Sequence, residues 1–266
     1  MNQNTHEQLR HSRFPEVGLH RRYWWHQVGD RRYAPAIYSD LSDQEWSIIR
    51  DWFADTESMQ GGGGEMSIPM ISVLQGFIMG SGIRSIVQLG HYRGYSTLLL
   101  GFMLRRMGVE RGLVSIDLDE EVTDYVEGWL KRAELESYVT LLVSDSAAPA
   151  MPVAAEASLG RAPRCVIIDS SHQYAHTLRE LDLWWEALAP GGMMFLHDCS
   201  EYAREFDTTN QGGVRGALSE WLPRHPEAGK IMLEGDPHAD GPVAYADGCG
   251  LCILQKPVAE APGTTD

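Results

Sequence analysis

The sequence is poor in cationic side chains, in cysteine and in long apolar runs. Lys and Arg number 22 against 37 Asp and Glu, giving a formal charge of −15 and a pI of about 5.0. So acidic a chain repels phosphate backbones, which argues against a general nucleic-acid binder. No run of about 18 apolar residues occurs, so no membrane span is expected. Residues 1–7 hold no apolar core of the secretory kind, and the expected location is the cytoplasm. There are four cysteines, Cys165, Cys199, Cys249 and Cys252. At least two fall in predicted strands, a usage that fits a reduced protein. Cys249-Gly-Leu-Cys252 has the spacing of a metal pair, but residues three apart on a strand face opposite ways. No second cysteine pair supports zinc, so this reads as a buried strand. Also missing is Gly-x-Gly-x-x-Gly, since Tyr92 stands where that pattern needs glycine. No internal repeat is visible.

What is present suits one large domain with an appendage. The chain has 266 residues, 43% of them hydrophobic, enough for a substantial core. Arg10 to Arg32 carries six arginines with Tyr23, Trp24 and Trp25 among them, and reads as an arm or cap packed on a neighbouring subunit. Ser42 to Glu45 is a capping box, and the helix after it buries Trp46, Ile49 and Phe53. Gly61 to Gly64 reads as a flexible linker. Ser67 begins a further helix through Ile71, Leu74 and Ile78. From there the pattern alternates. Strands are predicted near 85–89, 112–117, 138–143, 164–169 and 192–197, and helices near 95–107, 120–133 and 174–188. Trp184 and Trp185 pack the last helix on the sheet, and His176 is expected in solvent. A polar loop over 201–213, with glycine hinges, suits a lid. A helix from Val214 and strands near 229–234 and 248–255 complete the sheet. The tail after Pro257 reads as disordered. The domains are therefore residues 1–64 (helical arm or cap), 65–256 and 257–266.

Each predicted parallel strand delivers polar residues at its carboxyl end, the rim where open α/β sheets bind ligands. Gly90 and Gly94 allow a tight turn and close backbone approach, and the helix from Tyr95 offers free N–H groups to an anion. Asp117 could accept both hydroxyls of a ribose, or cap the next helix, a role open to Asp119. Asp145 and Ser146 could meet an adenine amino group, or cap a turn. Asp169, His172, His197 and Asp198 form a candidate chemical centre. Carboxylates converging from adjacent strands suit a divalent cation.

These segments together resemble the class I S-adenosylmethionine-dependent methyltransferases, in the branch with macrolide-sugar O-methyltransferases and the cephalosporin hydroxylase group. The resemblance rests on Gln88-Leu89-Gly90-x-x-x-Gly94-Tyr95-Ser96, Asp117, Asp145-Ser146, Ile168-Asp169-Ser170-Ser171-His172-x-Tyr174, and Pro190-Gly191-Gly192 through His197-Asp198. It spans roughly residues 65–256. It implies a doubly wound, Rossmann-like α/β sheet of seven mostly parallel strands, the last antiparallel. It implies S-adenosylmethionine as cofactor, with Gln88, Gly90, Gly94, Ser96 and Asp169 beside it, Asp117 at the ribose and Asp145 with Ser146 at the adenine. It also implies Mg²⁺ or Mn²⁺ on Asp169, His197 and Asp198, with His172 as the base beside Asp169. Two positions depart from the pattern. Gln88 replaces a frequent Glu, and His197 replaces a frequent carboxylate, which shifts metal preference toward Mn²⁺, Fe²⁺ or Zn²⁺. The implied activity is O-methylation of a small hydroxylated metabolite, a sugar or a natural-product intermediate. N-methylation, a nicotinamide-dependent oxidoreductase and a non-catalytic relative are the alternatives. A homo-oligomer is expected.

Overall fold

The computed structural model describes residues 26–28, 31–59, 62, 64–235 and 244–258. The Arg10–Trp25 part of the arginine-rich segment and the last eight residues of the tail lie outside these. The chain enters with two short paired strands, β1 (His26–Val28) and β2 (Arg31–Tyr33), and a one-turn helix α1 (Ala36–Ser39). The two strands precede the helices of the expected arm or cap. α2 (Asp43–Thr56) starts at the capping box, with Ser42 Oγ accepting from the Glu45 N–H and the Glu45 carboxylate accepting from the Ser42 N–H. α3 (Ile68–Gly80) starts at Ser67, whose hydroxyl accepts from the Met70 N–H.

Alternation then sets in. β3 (Ile86–Leu89), α4 (Tyr95–Met107), β4 (Leu113–Asp117), α5 (Glu120–Ala133), β5 (Val139–Val143), α6 (Met151–Leu159), β6 (Cys165–Ile168), α7 (Tyr174–Ala187) and β7 (Met193–His197) follow in order. α8 (Gly213–Trp221), β8 (Gly229–Leu233) and β9 (Leu251–Gln255) finish the chain. Among the described residues, α6 and the one-turn α1 lie in stretches where the sequence shows no helical pattern. α6 is short and alanine-rich, so it lacks a long apolar stripe.

The seven strands run in the order β5-β4-β3-β6-β7-β9-β8, and β9 is antiparallel to both neighbours. β3 lies at the centre, with β4 on one side and β6 on the other, so the chain reverses direction of travel there. That reversal opens the crevice in which α/β sheets bind ligands. Register decides which residues meet. Leu89 pairs with both Ile116 and Ile168, and Ile168 pairs with Leu196. Gly90, Asp117, Asp169 and His197 therefore leave the sheet at one level.

Both faces of the sheet are covered, which is why its central strands read as unbroken apolar runs. α1 to α5 cover one face, through Trp52, Phe53, Ile71, Leu98, Phe102 and Leu130 among others. α6 to α8 cover the other, through Leu159, Trp184, Trp185 and Trp221. α1 and α2 thus share a core with the sheet helices. Their anchoring reaches the site loop, because the Trp52 indole N–H donates to the Arg93 carbonyl at 2.8 Å. Among the described residues no helix is long and apolar enough to cross a membrane.

Candidate active site

A cavity of about 660 Å³ opens along the carboxyl ends of β3 to β7, within the usual size range of small-molecule sites. Its wall carries Gly90, Ser96, Asp117, Asp145, Ser146, Asp169, His172, His197 and Asp198. The glycine turn after β3 forms its floor. Gly90 has φ +84, and a Cβ there would stand 2.1 Å from the Asp169 carbonyl oxygen. Only glycine lets the β3 loop lie against the end of β6. Asp117 secures the same loop from the other side, its Oδ2 accepting the N–H groups of His91 at 3.0 Å and Tyr92 at 2.9 Å. Asp119 caps α5 by accepting from Glu121 and Val122, which leaves Asp117 on the cavity wall.

Two residues expected beside a cofactor sit off the wall. Gln88 is fully buried beneath the turn. Its side-chain amide donates to the Gly90 carbonyl at 3.0 Å and to Ser96 Oγ at 2.7 Å, and its carbonyl accepts from Thr97 Oγ1. Strand alternation turns position 88 toward α4 rather than toward the rim. Gly94 faces α5, and a Cβ there would meet Val126 at 2.8 Å. It makes room for a helix rather than for a ligand. The Gly61–Gly64 stretch also differs from a free linker at its end. Gly64 packs against the Tyr92 ring, and Gly64, Glu65 and Met66 line the cavity.

On the β6–β7 side, imidazoles and carboxylates interleave. His172 Nε2 lies 3.0 Å from Asp198 Oδ2 and 3.6 Å from Asp169 Oδ1. His197 Nδ1 lies 3.1 Å from the same Asp198 oxygen and 3.4 Å from the same Asp169 oxygen, and its Nε2 lies 3.0 Å from Asp247 Oδ2. Asp247 also accepts from the Ser67 hydroxyl at 2.6 Å, the Tyr245 hydroxyl at 3.1 Å and the Cys249 N–H at 3.0 Å. Burial alone would lower the pKa of both imidazoles. For His197 the charges and hydrogen bonds of Asp169, Asp198 and Asp247 more than reverse this and hold it well above the ordinary value. For His172 a hydrogen bond to Asp169 and the charge of Asp198 raise it in the same way. The Asp169 carboxyl is correspondingly held down by its two histidine neighbours, against its own burial. His172 and Asp198 both sit at φ +57, an uncommon backbone for residues other than glycine. Such strain gathers at working sites.

The 201–213 loop carries its own local structure. It forms a short 3₁₀ turn over Tyr202–Phe206, and Phe206 lies against the His172 ring, centroids 5.9 Å apart. Asp207 then accepts the N–H groups of Thr209, Gln211 and Gly213 at 2.9–3.0 Å. Asp207→Ala should cost about 1–2 kcal/mol, the range for losing a helix cap, whereas Asp207→Asn should cost less. Urea unfolding midpoints check this, and an Ala variant as stable as the parent would contradict it.

Residues 87–199 match a family model described as a methyltransferase domain. This segment is similar to a methyltransferase domain over those residues. Solved structures share its fold at low identity. An O-methyltransferase from Bacillus cereus in complex with SAH is 16% identical, with a TM-score of 0.59 over 84% of this chain and 96% of that one. The O-methyltransferase TomG from Streptomyces achromogenes, involved in tomaymycin synthesis and in complex with SAM, is 17% identical, with a TM-score of 0.57 over 79% and 89%. The SAH-bound methyltransferase PaMTH1 from Podospora anserina is 14% identical, with a TM-score of 0.54 over 96% and 97%. No curated protein matches the sequence.

In this fold several site residues escape a reading of the sequence. Asp247 lies about 50 residues beyond His197 in a stretch without helical or strand pattern. His176 is not in free solvent. It lines the cavity, with Nε2 2.9 Å from Asp145 Oδ1 and Nδ1 3.4 Å from Glu180 Oε2. Glu180 is fully buried. A signal for it exists: positions 177, 180, 181, 184 and 185 form the buried stripe of α7, and a carboxylate in that stripe needs partners.

Proposed function

We propose that the chain is an S-adenosylmethionine-dependent O-methyltransferase acting on a hydroxyl of a small metabolite, a sugar or a natural-product intermediate. The observation that carries this reading is one cavity holding both halves of the chemistry. Along β3 to β5 it has a glycine turn, a strand-end aspartate and a second aspartate, the donors and acceptors a nucleoside needs. Along β6 and β7 it has the imidazole–carboxylate cluster a hydroxyl acceptor needs. The Bacillus and Streptomyces O-methyltransferases that share the fold, with SAH and SAM bound, support the same reading.

Methyl transfer forms a carbon–oxygen bond as the carbon–sulfur bond breaks, leaving S-adenosylhomocysteine. The acceptor hydroxyl must lose its proton, and in this reading His172 Nε2 takes it. The rest is positioning: two reactants held in line in one cavity convert a bimolecular step into a local one. The donors also fit a divalent cation. Around an ion at about 2.1 Å, ligand atoms at right angles stand about 3 Å apart. Asp169 Oδ1, Asp198 Oδ2 and His197 Nδ1 approach that spacing at 3.1 and 3.4 Å from the histidine nitrogen. His197 meanwhile turns its other nitrogen to Asp247, the arrangement that orients a metal-bound histidine. Asp169, His197 and Asp198 would hold the ion. When bound it would act as a Lewis acid on the hydroxyl and neutralise the carboxylates that keep the proton on His172.

Calorimetric titration with S-adenosylhomocysteine, with EDTA or with added Mg²⁺ or Mn²⁺, tests this. Micromolar binding is expected, with metal-dependent heat from the Asp169–Asp198 cluster. No binding under any condition would overturn the cofactor assignment. Asp117→Ala should weaken this binding at least tenfold, since it removes the anchor of the glycine turn and a ribose acceptor together. An unaltered Kd would refute that role.

A further inference from the structure

A second polar cluster closes the cavity on the β5 side, built from the ends of β5 and β6 and the first turns of α7. Its centre is Glu180, whose side chain is fully buried. Ser146 donates its hydroxyl to one carboxylate oxygen, and Ser170 donates to the other at 2.8 Å. The Trp184 indole N–H fixes the Ser146 carbonyl at 2.9 Å. A buried carboxylate is costly unless fully partnered, so this one binds the loops after β5 and β6 together. His176, one helical turn before it, carries the connection to the surface of the cavity. Its Nδ1 lies 3.4 Å from Glu180 Oε2, and its Nε2 lies 2.9 Å from Asp145 Oδ1.

Asp145 is the exposed end of this chain of contacts. Its side chain is about half exposed, yet it is not free to turn. Oδ1 accepts from His176 and from the Ala147 N–H at 2.8 Å, while Oδ2 accepts no hydrogen bond among the described residues. The hydrogen bond from His176, then that from Ala147, holds the Asp145 carboxyl below its ordinary pKa. It is therefore an acceptor only. Glu180 acts in turn on His176 and holds the imidazole above its ordinary pKa, through a charge contact at Nδ1 that leaves Nε2 to donate to Asp145.

We propose that His176 and Glu180 are positioning residues that fix Asp145 Oδ2 as the acceptor for the 6-amino group of adenine, and so make cofactor binding selective for 6-aminopurine. This rests on the cofactor reading above. A 6-oxopurine would bring a carbonyl oxygen against the same carboxylate, and a site built around an acceptor rejects such a ligand strongly. Without His176, Asp145 has one backbone bond and water around it, and that preference should fade.

The test compares S-adenosylhomocysteine with S-inosylhomocysteine, which has oxygen for the amino nitrogen at position 6 and a proton on N1. Both are titrated into the parent chain, His176→Ala and His176→Gln. The parent should prefer S-adenosylhomocysteine at least tenfold. His176→Ala should weaken that ligand about tenfold, the worth of one well-placed hydrogen bond to a charged group, and change S-inosylhomocysteine less than twofold. His176→Gln, which keeps an N–H donor, should recover part of the preference. Three results would overturn the assignment: a parent without preference, a preference unchanged in His176→Ala, or an equal loss for both ligands with a lowered Tm, as a merely structural role requires. A parent that binds neither ligand overturns the cofactor reading itself, an outcome distinct from those three.

Discussion

His172→Ala should lower the rate of methyl transfer about 10²–10⁴-fold, the usual range for removing a general base, while S-adenosylhomocysteine binds within about twofold of the parent. The side chain is about one-third exposed on the cavity wall, so its loss opens no buried void. It bridges Asp169 and Asp198 but touches neither the β3 turn nor Asp117, which is why the cofactor end should be spared. The backbone at φ +57 adds a cost of about 1–2 kcal/mol for alanine. His172→Asn is the companion variant, because asparagine tolerates that conformation. Both should be slow if the imidazole takes the proton, whereas recovery in Asn alone would mean the backbone was at fault. Turnover is read as S-adenosylhomocysteine released, and unchanged turnover in both variants would sink the base assignment. Metal affinity, titrated on the same variants, separates a base from a ligand: a large rise in Kd would make His172 a fourth donor instead.

Gly90→Ala is the second large effect, and it should act on stability and binding together. The new methyl group would stand 2.1 Å from the Asp169 carbonyl oxygen, just past the end of β6, with the Asp169 carbonyl carbon at 2.8 Å and the Ser170 Cα at 2.9 Å. None of these can rotate away, so the turn or the end of β6 must move. Overpacking of this kind costs about 1–3 kcal/mol, and the left-handed backbone about 1–2 kcal/mol more. A loss of about 2–5 kcal/mol in urea unfolding is expected, with S-adenosylhomocysteine binding weakened beyond what unfolding accounts for. Displacing Asp169 by even a fraction of an ångström should also lower turnover of whatever folds. A variant with parental stability and affinity would show that the β3 turn does not rest on β6 as described.

Much of the fold was readable because its signals are local. Ser42 with Glu45, Ser67 and Asp119 each start a helix by accepting from N–H groups within three residues. Gly90 announces a turn because its strand runs apolar to Leu89 and then must bend. The parallel strands carry continuous apolar runs since both sheet faces are covered. α6 went unread because alanine carries little amphipathic contrast. The β1–β2 hairpin went unread because His26–Val28 and Arg31–Tyr33 are three residues each, too short to show a period. The site was legible by residue type and order, so Asp117, Asp145, Asp169, His172, His197 and Asp198 could be named. Their partners could not. Gln88 was assigned to the ligand when the pleat turns it to α4, and His176 was assigned to water when it joins Asp145 to Glu180.

The sequence by itself determined the order of strands and helices, the caps and the polar residues at each strand end, since all of these follow from neighbours along the chain. Only the tertiary structure decided which of those residues share a wall. Strand register sets Asp169 level with His197, and the return of the chain at β9 brings Asp247 to His197 Nε2. Packing of α7 lays Glu180 under Ser146 and Ser170. The reason is physical: hydrogen-bonding reach is about 3 Å, and no local pattern records which distant groups the sheet will bring within it.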